Sequence, residues 1–374
     1  MVQFQTAIKK ILQFIYMIQF VPFTTMIGCS CFSEHFIAFV IVYWLFVCFF
    51  SFLLLGQKHK GSRTSDSSQR FQGLITFEIV ITLICGLSTL YFCFISGFRI
   101  NLNILMAYDL RTEGLTYSTI AGSTYLLGLS RILIPVGLTY SIKSKKLWMV
   151  ALFFIFFVFN YSFDGSKTLF FVCLCSVFVA LFYKRQFNKY IPFFLNLLLI
   201  VGYVEFLFNS TPLIYNLLIR RLFFVPNIIN NAFFDYMSSH SPNMFSNLLR
   251  FLGVNNSYDI SFVIGDLYFH SQDMSANTGT IGDAIWQFRW FGAIILPFLI
   301  VLILKFFDFS SKKTPFEMLI IPCLVFSYYL NNSSFTAACF SHGLVFFCLV
   351  IQTYKTKISL YGGLPVINQR LKKE

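Results

Sequence analysis

The feature that most constrains this chain is a series of long apolar runs that recurs along almost all of its 374 residues. A helix of about 20 apolar residues matches the hydrocarbon core of a bilayer. Runs of this kind predict α-helices, because in lipid every backbone polar group must be paired within its own segment. The runs are 11–27, 36–55, 73–95, 117–140, 147–163, 168–183, 191–208, 284–304, 316–330 and 335–352.

The composition agrees with lipid as the main solvent of the chain. Hydrophobic residues make up 57% of the sequence and charged residues only 11%, and the mean hydropathy is +0.72. Soluble domains carry about 25% charged residues. We therefore predict an all-α, polytopic membrane protein with about 10 transmembrane helices.

The basic residues predict the orientation of these helices. If the N-terminus is cytoplasmic, 20 of the 28 Lys and Arg residues fall in segments on that same side. An excess of Lys and Arg is typical of cytoplasmic loops. Both ends of the chain are then expected in the cytoplasm. Because topology accounts for most of the net charge of +13, a nucleic-acid partner is not expected.

The spans divide the chain into four parts: helices one to seven in 1–208, a large extracytoplasmic loop in 209–283, the last three helices in 284–353, and a cytoplasmic tail in 354–374. Within the loop, apolar and polar positions alternate near helical spacing over 213–236. This pattern predicts an amphipathic helix at the membrane interface, kinked at Pro226.

Eight basic residues fall outside the cytoplasmic segments, and seven of them are Arg. The positive-inside rule does not favour these positions, so we expect another reason for their presence. Arg suits the two-point binding of phosphate oxygens, such as those of a lipid-linked diphosphate. The alternative is contact with ordinary anionic lipid or with outer acidic residues. The eight are Arg99, Arg111, Arg131, Lys167, Arg220, Arg221, Arg250 and Arg289.

Arg131 differs from the others because it lies inside an apolar run, as do Glu78 and Glu205. A charge at such a position requires a partner or a water-filled cavity. Two interpretations stay open. Either these residues pair within the helix bundle, with one another or with other residues, or they line a cavity that admits a polar substrate.

Candidate proton acceptors lie in the large loop. A histidine there can accept a proton from a hydroxyl at neutral pH, and His240 and His270 are the candidates. Asp235, Asp266 and Asp283 are alternatives. Simple solvation of a loop histidine is the competing interpretation.

The sequence lacks the motifs of nucleotide-driven enzymes, serine hydrolases and zinc hydrolases. It contains no GxxxxGK[ST], no GxSxG, no HExxH and no CxxC. Its ten cysteines show no metal-binding spacing with histidine. No cofactor and no metal are therefore expected.

Several stretches resemble segments of the O-antigen polymerase (Wzy-type) family, the bacterial oligosaccharide repeat-unit polymerases. The stretch 220–236 begins with Arg220 and Arg221 and continues through Phe233, Phe234 and Tyr236. It is similar to the basic and aromatic segment that opens the large periplasmic loop of that family.

Three shorter stretches add to the resemblance. Residues 277–288, which begin at Asn277, resemble the Asn- and Gly-rich segment that leads from that loop into the next helix. Residues 108–122, with Arg111, resemble the stretch between an outer loop and the following helix. Residues 164–167 stand where the family has a Gly-Arg-Ser turn, and Lys167 replaces the arginine.

The resemblance implies a glycosyltransferase that acts at the outer face of the bacterial cytoplasmic (inner) membrane. It would transfer a growing glycan from undecaprenyl pyrophosphate to a new lipid-linked repeat unit, producing O-antigen or capsule polysaccharide. Its partners would be the undecaprenyl-pyrophosphate-linked oligosaccharide, the lipid bilayer and a chain-length regulator protein. The donor is already activated, in agreement with the missing nucleotide motifs.

Under this hypothesis the candidate site has two sets of residues. The candidate catalytic residues are Arg220, Arg221, His240 and Asp283. The candidate ligands of the pyrophosphate and glycan are Arg99, Arg111, Lys167, Tyr236, Arg250, Asn277 and Arg289.

Three other functions compete with polymerisation. A flippase for lipid-linked oligosaccharides would favour two related halves and short outer loops, which this sequence does not show. A membrane acyltransferase would require a catalytic histidine early in the chain, where only His35 and His59 occur. An O-antigen ligase, which joins the finished glycan to a lipid core, would share the physical chemistry of a polymerase.

Overall fold

The computed structural model describes residues 7–55, 75–117, 119–120, 122–183, 190–212, 214–245, 260–272, 274–312 and 314–354. Every regular element in these ranges is helical. The α-helices are α1 (Ala7–Gly28), α2 (Glu34–Leu55), α3 (Ile75–Ser96), α4 (Ala107–Thr116), α5 (Ser123–Lys143), α6 (Leu147–Asp164), α7 (Lys167–Phe182), α8 (Ile191–Phe208), α9 (Val225–Ser239), α10 (Ile260–Phe269), α11 (Thr280–Phe288), α12 (Gly292–Ser310), α13 (Phe316–Asn332) and α14 (Leu344–Ile351). A π-helical turn interrupts α1 at Tyr16–Phe20, and separate π-helices span Tyr215–Phe224 and Ala337–Ser341.

Six helical stretches in the described ranges are long and apolar enough to cross a membrane. They are α1, α2, α3, α5, α6 and the continuous pair α11–α12. Helix α2 shows why lipid is the expected solvent, because it is apolar on all sides. Leu45 and Phe52 on α2 are 63% and 78% exposed, a surface that water would disfavour.

The other four predicted spans are not among these six stretches, so the number of about ten spans stays a prediction. The seventh span matches α8 and the ninth matches α13, while the sixth matches the 16-residue α7. The tenth, 335–352, is not continuous. It consists of the π-helix Ala337–Ser341, a turn in which Gly343 has a φ of +81°, and α14.

Helix α5 lies at the centre of the bundle and packs against α3, α6, α7 and α13. Its residues are almost all buried from Gly128 to Ser141. A Cβ atom on Gly137 would lie 2.3 Å from the ring of Phe153, so the absence of a side chain there allows α6 to pack directly on the α5 backbone. Helix α13 is joined to α1 by the Ser327 hydroxyl, which donates to the carbonyl of Ile11 at 3.2 Å.

The amphipathic helix predicted at 213–236 is two helices of different type. The π-helix Tyr215–Phe224 is followed directly by α9, and Pro226 lies in the first turn of α9. A proline is well tolerated there because the first helical N–H groups have no partner in the helix. The kink at Pro226 stays a prediction, and the proline marks a change of helix type.

The three charges inside apolar runs do not pair with one another. Glu78 accepts hydrogen bonds from Lys146 and from the hydroxyl of Tyr140. Glu205 accepts a hydrogen bond from the backbone N–H of Tyr215 at 3.1 Å. Arg131 pairs with Asp164 and Glu78 with Lys146, so both charges pair within the bundle as the first interpretation predicts, but with other residues rather than with each other.

Candidate functional site

A cavity of about 570 Å³ lies where several helix ends meet. It is bordered by the junction of α6 with α7, by α4, by the segment before α11 and by the end of α13. Helix α6 begins after Lys146 and ends at Asp164. The cavity is therefore at the opposite end of α6 from the basic turn that contains Lys143, Lys145 and Lys146.

Basic side chains from four separate elements line this cavity. Arg111 comes from α4, Arg131 from α5, Lys167 from the first position of α7, and Arg221 from the π-helix Tyr215–Phe224. The carboxylates in the lining are those of Asp164 and Asp283, so the described lining has an excess of two positive charges. Convergent positive charge in a recessed site favours an anionic ligand.

The turn between α6 and α7 forms one wall. Gly165 has a φ of +59°, and a Cβ atom there would lie 2.4 Å from the carbonyl oxygen of Ala107, the first residue of α4. The hydroxyl of Ser166 accepts a hydrogen bond from the N–H of Leu169 at 3.4 Å and so caps α7. This close packing of α4 on the turn places Arg111 and Lys167 on the same cavity.

Arg131 and Asp164 form an ion pair inside the lining. Their side chains are only 21% and 11% exposed. The Nε atom of Arg131 is buried without a hydrogen-bond partner, whereas Asp164 also accepts from the N–H of Ser166 at 3.1 Å. Tyr329 of α13 lines the same cavity, so the ion pair and α13 border one space.

His342 and Tyr329 form the wall on the α13 side. Their rings are stacked, with centroids 3.9 Å apart and an angle of 6° between the planes. The Nε2 atom of His342 lies 2.9 Å from the hydroxyl of Ser333, which also lines the cavity. His342 was not predicted from the sequence, because this residue lies in an apolar run. One feature of the sequence does indicate His342, namely a His-Gly pair inside a predicted span.

The segment before α11 completes the cavity with Asn277 and Thr278. The hydroxyl of Thr278 donates to Oδ1 of Asn230 at 2.8 Å. A Cβ atom on Gly279 would lie 2.2 Å from the carbonyl oxygen of Asn331, so this glycine allows the segment to pack on the end of α13. The glycine-rich stretch therefore has a packing role beside the cavity.

Asp283 is 1% exposed although it lines the cavity. Its Oδ1 atom accepts a hydrogen bond from Gln287 at 2.7 Å, and Oδ2 accepts from the N–H of Phe335 at 2.8 Å. The first bond lies within α11, and the second connects α11 to the segment after α13. The arrangement favours a structural role for Asp283 at the cavity wall, rather than that of a free base.

The cavity gathers five of the residues that the sequence predicted for the site. They are Arg111, Lys167, Arg221, Asn277 and Asp283. Arg250 lies outside the described residues. Arg220 is exposed and does not line the cavity, although it is adjacent to Arg221. Successive residues of a helix project in different directions, so the sequence neighbours do not act as one pair.

Arg99 also lies elsewhere, in an ion pair with Glu113 on the segment around α4. The hydrogen bond from Arg99, followed by one from Tyr117, lowers the pKa of the Glu113 carboxyl below its usual range. Both charged side chains are more than a third exposed. Arg99 is therefore occupied by an acidic neighbour at the surface.

His240 and Tyr236 form their own stacked pair at the end of α9, with ring centroids 3.9 Å apart. Nδ1 of His240 is 2.8 Å from the carbonyl oxygen of Tyr236. His270, Asp235 and Asp266 are exposed, and the cavity lining does not include them. The predicted assignment of His240 and Tyr236 to one site with Arg221 is not reproduced by this geometry.

Arg289 stands at the break between α11 and α12, with a φ of +51°. Its guanidinium donates to the carbonyl of Met237 at 3.1 and 2.6 Å and to that of Ser238 at 3.0 Å. It thereby caps the last turn of α9. Arg289 lines a second, mainly apolar cavity of about 420 Å³ that includes Trp290, and it does not reach the first cavity.

Within the described ranges, no three His, Cys, Asp or Glu side chains are placed so that they could hold a metal ion. No family model, no curated protein and no solved structure matches this chain.

Proposed function

We propose that this protein is a glycosyltransferase that polymerises undecaprenyl-pyrophosphate-linked oligosaccharide repeat units at the outer face of the bacterial cytoplasmic membrane. The observation that carries the proposal is the convergence of Arg111, Arg131, Lys167 and Arg221 on one cavity of about 570 Å³. A cavity of this size accepts a diphosphate together with neighbouring sugar units.

The charge of the cavity suits this substrate class. A diphosphate that is esterified at both ends carries two negative charges, and the described lining has two more positive than negative groups. Arg111, Lys167 and Arg221 supply donors for the phosphate oxygens. When the sugar leaves, the diphosphate gains a further negative charge, and fixed cationic donors stabilise that transition state more than the ground state.

The position of the cavity suits an extracytoplasmic reaction. The lysine-rich turn before α6 belongs to the cytoplasmic side by the positive-inside rule, and the cavity is at the other end of α6. Apolar helices surround this region, so a polyprenyl tail can stay in lipid while its head group enters the cavity.

The reaction exchanges one bond for another. The hydroxyl oxygen of the acceptor sugar bonds to the anomeric carbon of the donor, and the bond from that carbon to the diphosphate oxygen breaks. Polyprenyl diphosphate leaves with the electron pair, and the hydroxyl proton passes to a base. We assign His342 as this base, because its imidazole lines the cavity and a neutral imidazole nitrogen can accept a proton.

Deletion of the gene in its native bacterium, followed by electrophoresis of the surface polysaccharide, tests the proposal. A polymerase predicts a single repeat unit in place of the ladder, and re-expression of the wild-type protein should restore the ladder. Loss of all surface glycan, with the lipid-linked unit accumulated in the inner leaflet, would indicate a flippase. Polymer that is made but not joined to the lipid core would indicate a ligase.

A further inference from the structure

The π-helix that carries Arg221 has an interrupted hydrogen-bond pattern at its end. Val225 still donates its N–H to the carbonyl of Arg220, five residues back. Pro226 has no N–H, so it can donate neither to the carbonyl of Leu222 nor to that of Arg221. A buried carbonyl that loses its donor requires another partner.

A side chain from a different helix supplies the missing donor. The Nδ2 atom of Asn331, in α13, lies 3.2 Å from the carbonyl oxygen of Leu222. Asn331 is fully buried, and the segment before α11 packs on its carbonyl at Gly279. Its neighbours Tyr329 and Asn332 line the cavity, so Asn331 connects the cavity wall to the π-helix.

A second amide holds the next carbonyl of the same π-helix. Nδ2 of Asn227 lies 3.2 Å from the carbonyl oxygen of Phe223 and 3.2 Å from that of Gln19 in α1. The end of the π-helix is thus fixed to both neighbouring helices by side-chain amides, directly after the position of Arg221.

We infer that Asn331 is a positioning residue for Arg221: its amide replaces the N–H that Pro226 lacks and so fixes the direction in which Arg221 enters the cavity. This inference rests on the proposed function, in which Arg221 binds the substrate diphosphate. Without the Leu222 bond, the last turn of the π-helix can rotate or fray, and the guanidinium of Arg221 is no longer preorganised.

The Pro226→Ala substitution provides the test, because it returns a backbone N–H that can bond to the carbonyl of Leu222. The purified full-length protein in detergent is compared as wild type, Asn331→Ala, Pro226→Ala and the double variant. Ser327→Ala is the matched control, since it removes another buried hydrogen bond from α13 to a neighbouring helix carbonyl without touching the π-helix. The readouts are hydrogen–deuterium exchange of 219–225 and the affinity for inorganic pyrophosphate.

Asn331→Ala should accelerate exchange in 219–225 and weaken pyrophosphate binding by about five- to tenfold. The double variant with Pro226→Ala should recover both properties, and Ser327→Ala should change neither. In the Arg221→Ala background, Asn331→Ala should cause no further loss of affinity. If Asn331→Ala alone does not fold, recovery of folded protein by Pro226→Ala supports the inference.

The inference is overturned if the exchange of 219–225 is unchanged in Asn331→Ala, or if Pro226→Ala rescues neither folding nor exchange. It is also overturned if the losses from Asn331→Ala and Arg221→Ala simply add. Absence of pyrophosphate binding by the wild-type protein would contradict the proposed function instead. In that case the exchange data alone decide whether Asn331 holds the π-helix.

Discussion

The guanidinium of Arg131 in α5 forms an ion pair with the carboxylate of Asp164 at the end of α6. The pair joins two packed helices at the rim of the 570 Å³ cavity, and it neutralises one of the four basic groups in the lining. Arg111, Lys167 and Arg221 are the other basic side chains of the lining. We therefore expect the ion pair to stabilise the packing of α5 on α6, whereas its basic neighbours bind the proposed ligand.

Removal of one partner of this pair should destabilise the protein strongly. Arg131→Ala leaves the carboxylate of Asp164 buried without its counter-charge, which we expect to lower the free energy of unfolding by about 3 kcal/mol. The double variant Arg131→Ala/Asp164→Ala should be more stable than Arg131→Ala, because no uncompensated charge remains. Thermal unfolding in detergent measures both, and equal stability of the single variant and wild type would contradict the expectation.

Arg221 and its neighbour Arg220 form a matched pair for testing the cavity. Arg221→Ala should abolish long-chain surface glycan while single repeat units still appear, and Arg221→Lys should restore chain length only in part, since Lys cannot make the planar two-point contact. Arg220→Ala should leave a normal ladder, because Arg220 does not line the cavity. Silver-stained gels of surface polysaccharide compare the three variants. A normal ladder from Arg221→Ala would remove the basis for the diphosphate site.

The proposed orientation can be measured with reporter tags. A tag active only in the periplasm should be accessible when fused near Ser257 and inaccessible near Ser311. Ser257 belongs to the predicted outer loop and lies outside the described residues, whereas Ser311 follows α12. The opposite pattern would reverse the topology and would place the cavity on the cytoplasmic side.

The surface ion pair of Arg99 and Glu113 should make the stability of the protein depend on pH only at acid pH. Its hydrogen bonds lower the pKa of Glu113, so the stabilisation is present above the unfolded value of 4.5 and is lost as the pH falls through the lower folded value. The melting temperature of the wild type should therefore exceed that of Arg99→Ala by a small, constant margin from pH 6 to 8. The margin should close below about pH 4. In the Glu113→Gln background, the effect of Arg99→Ala on the melting temperature should not change with pH. A difference between wild type and Arg99→Ala that grows as the pH falls would contradict this expectation.

Local patterns predicted the elements of this protein well. The runs of apolar residues identify α1, α2, α3, α5 and α6, because solvent preference is a property of each segment by itself. They also indicated the candidate residues Arg111, Lys167 and Arg221, which stand where the predicted topology does not favour basic groups. The helix break at Arg289 was not predicted, since a positive φ at a non-glycine residue has no sequence signature.

The sequence by itself determined which segments form long apolar helices, the excess of arginine away from the lysine-rich loops, and the absence of nucleotide-binding motifs. Only the tertiary structure decided which of those arginines meet. Arg131 and Asp164 are 33 residues apart, and Asn331 and Leu222 are 109 apart. Such contacts depend on how helices cross and in which register they pack, and these depend on the whole bundle rather than on any local stretch. For the same reason Arg220 and His240, which the sequence placed beside Arg221, lie outside the cavity, whereas His342 lines it.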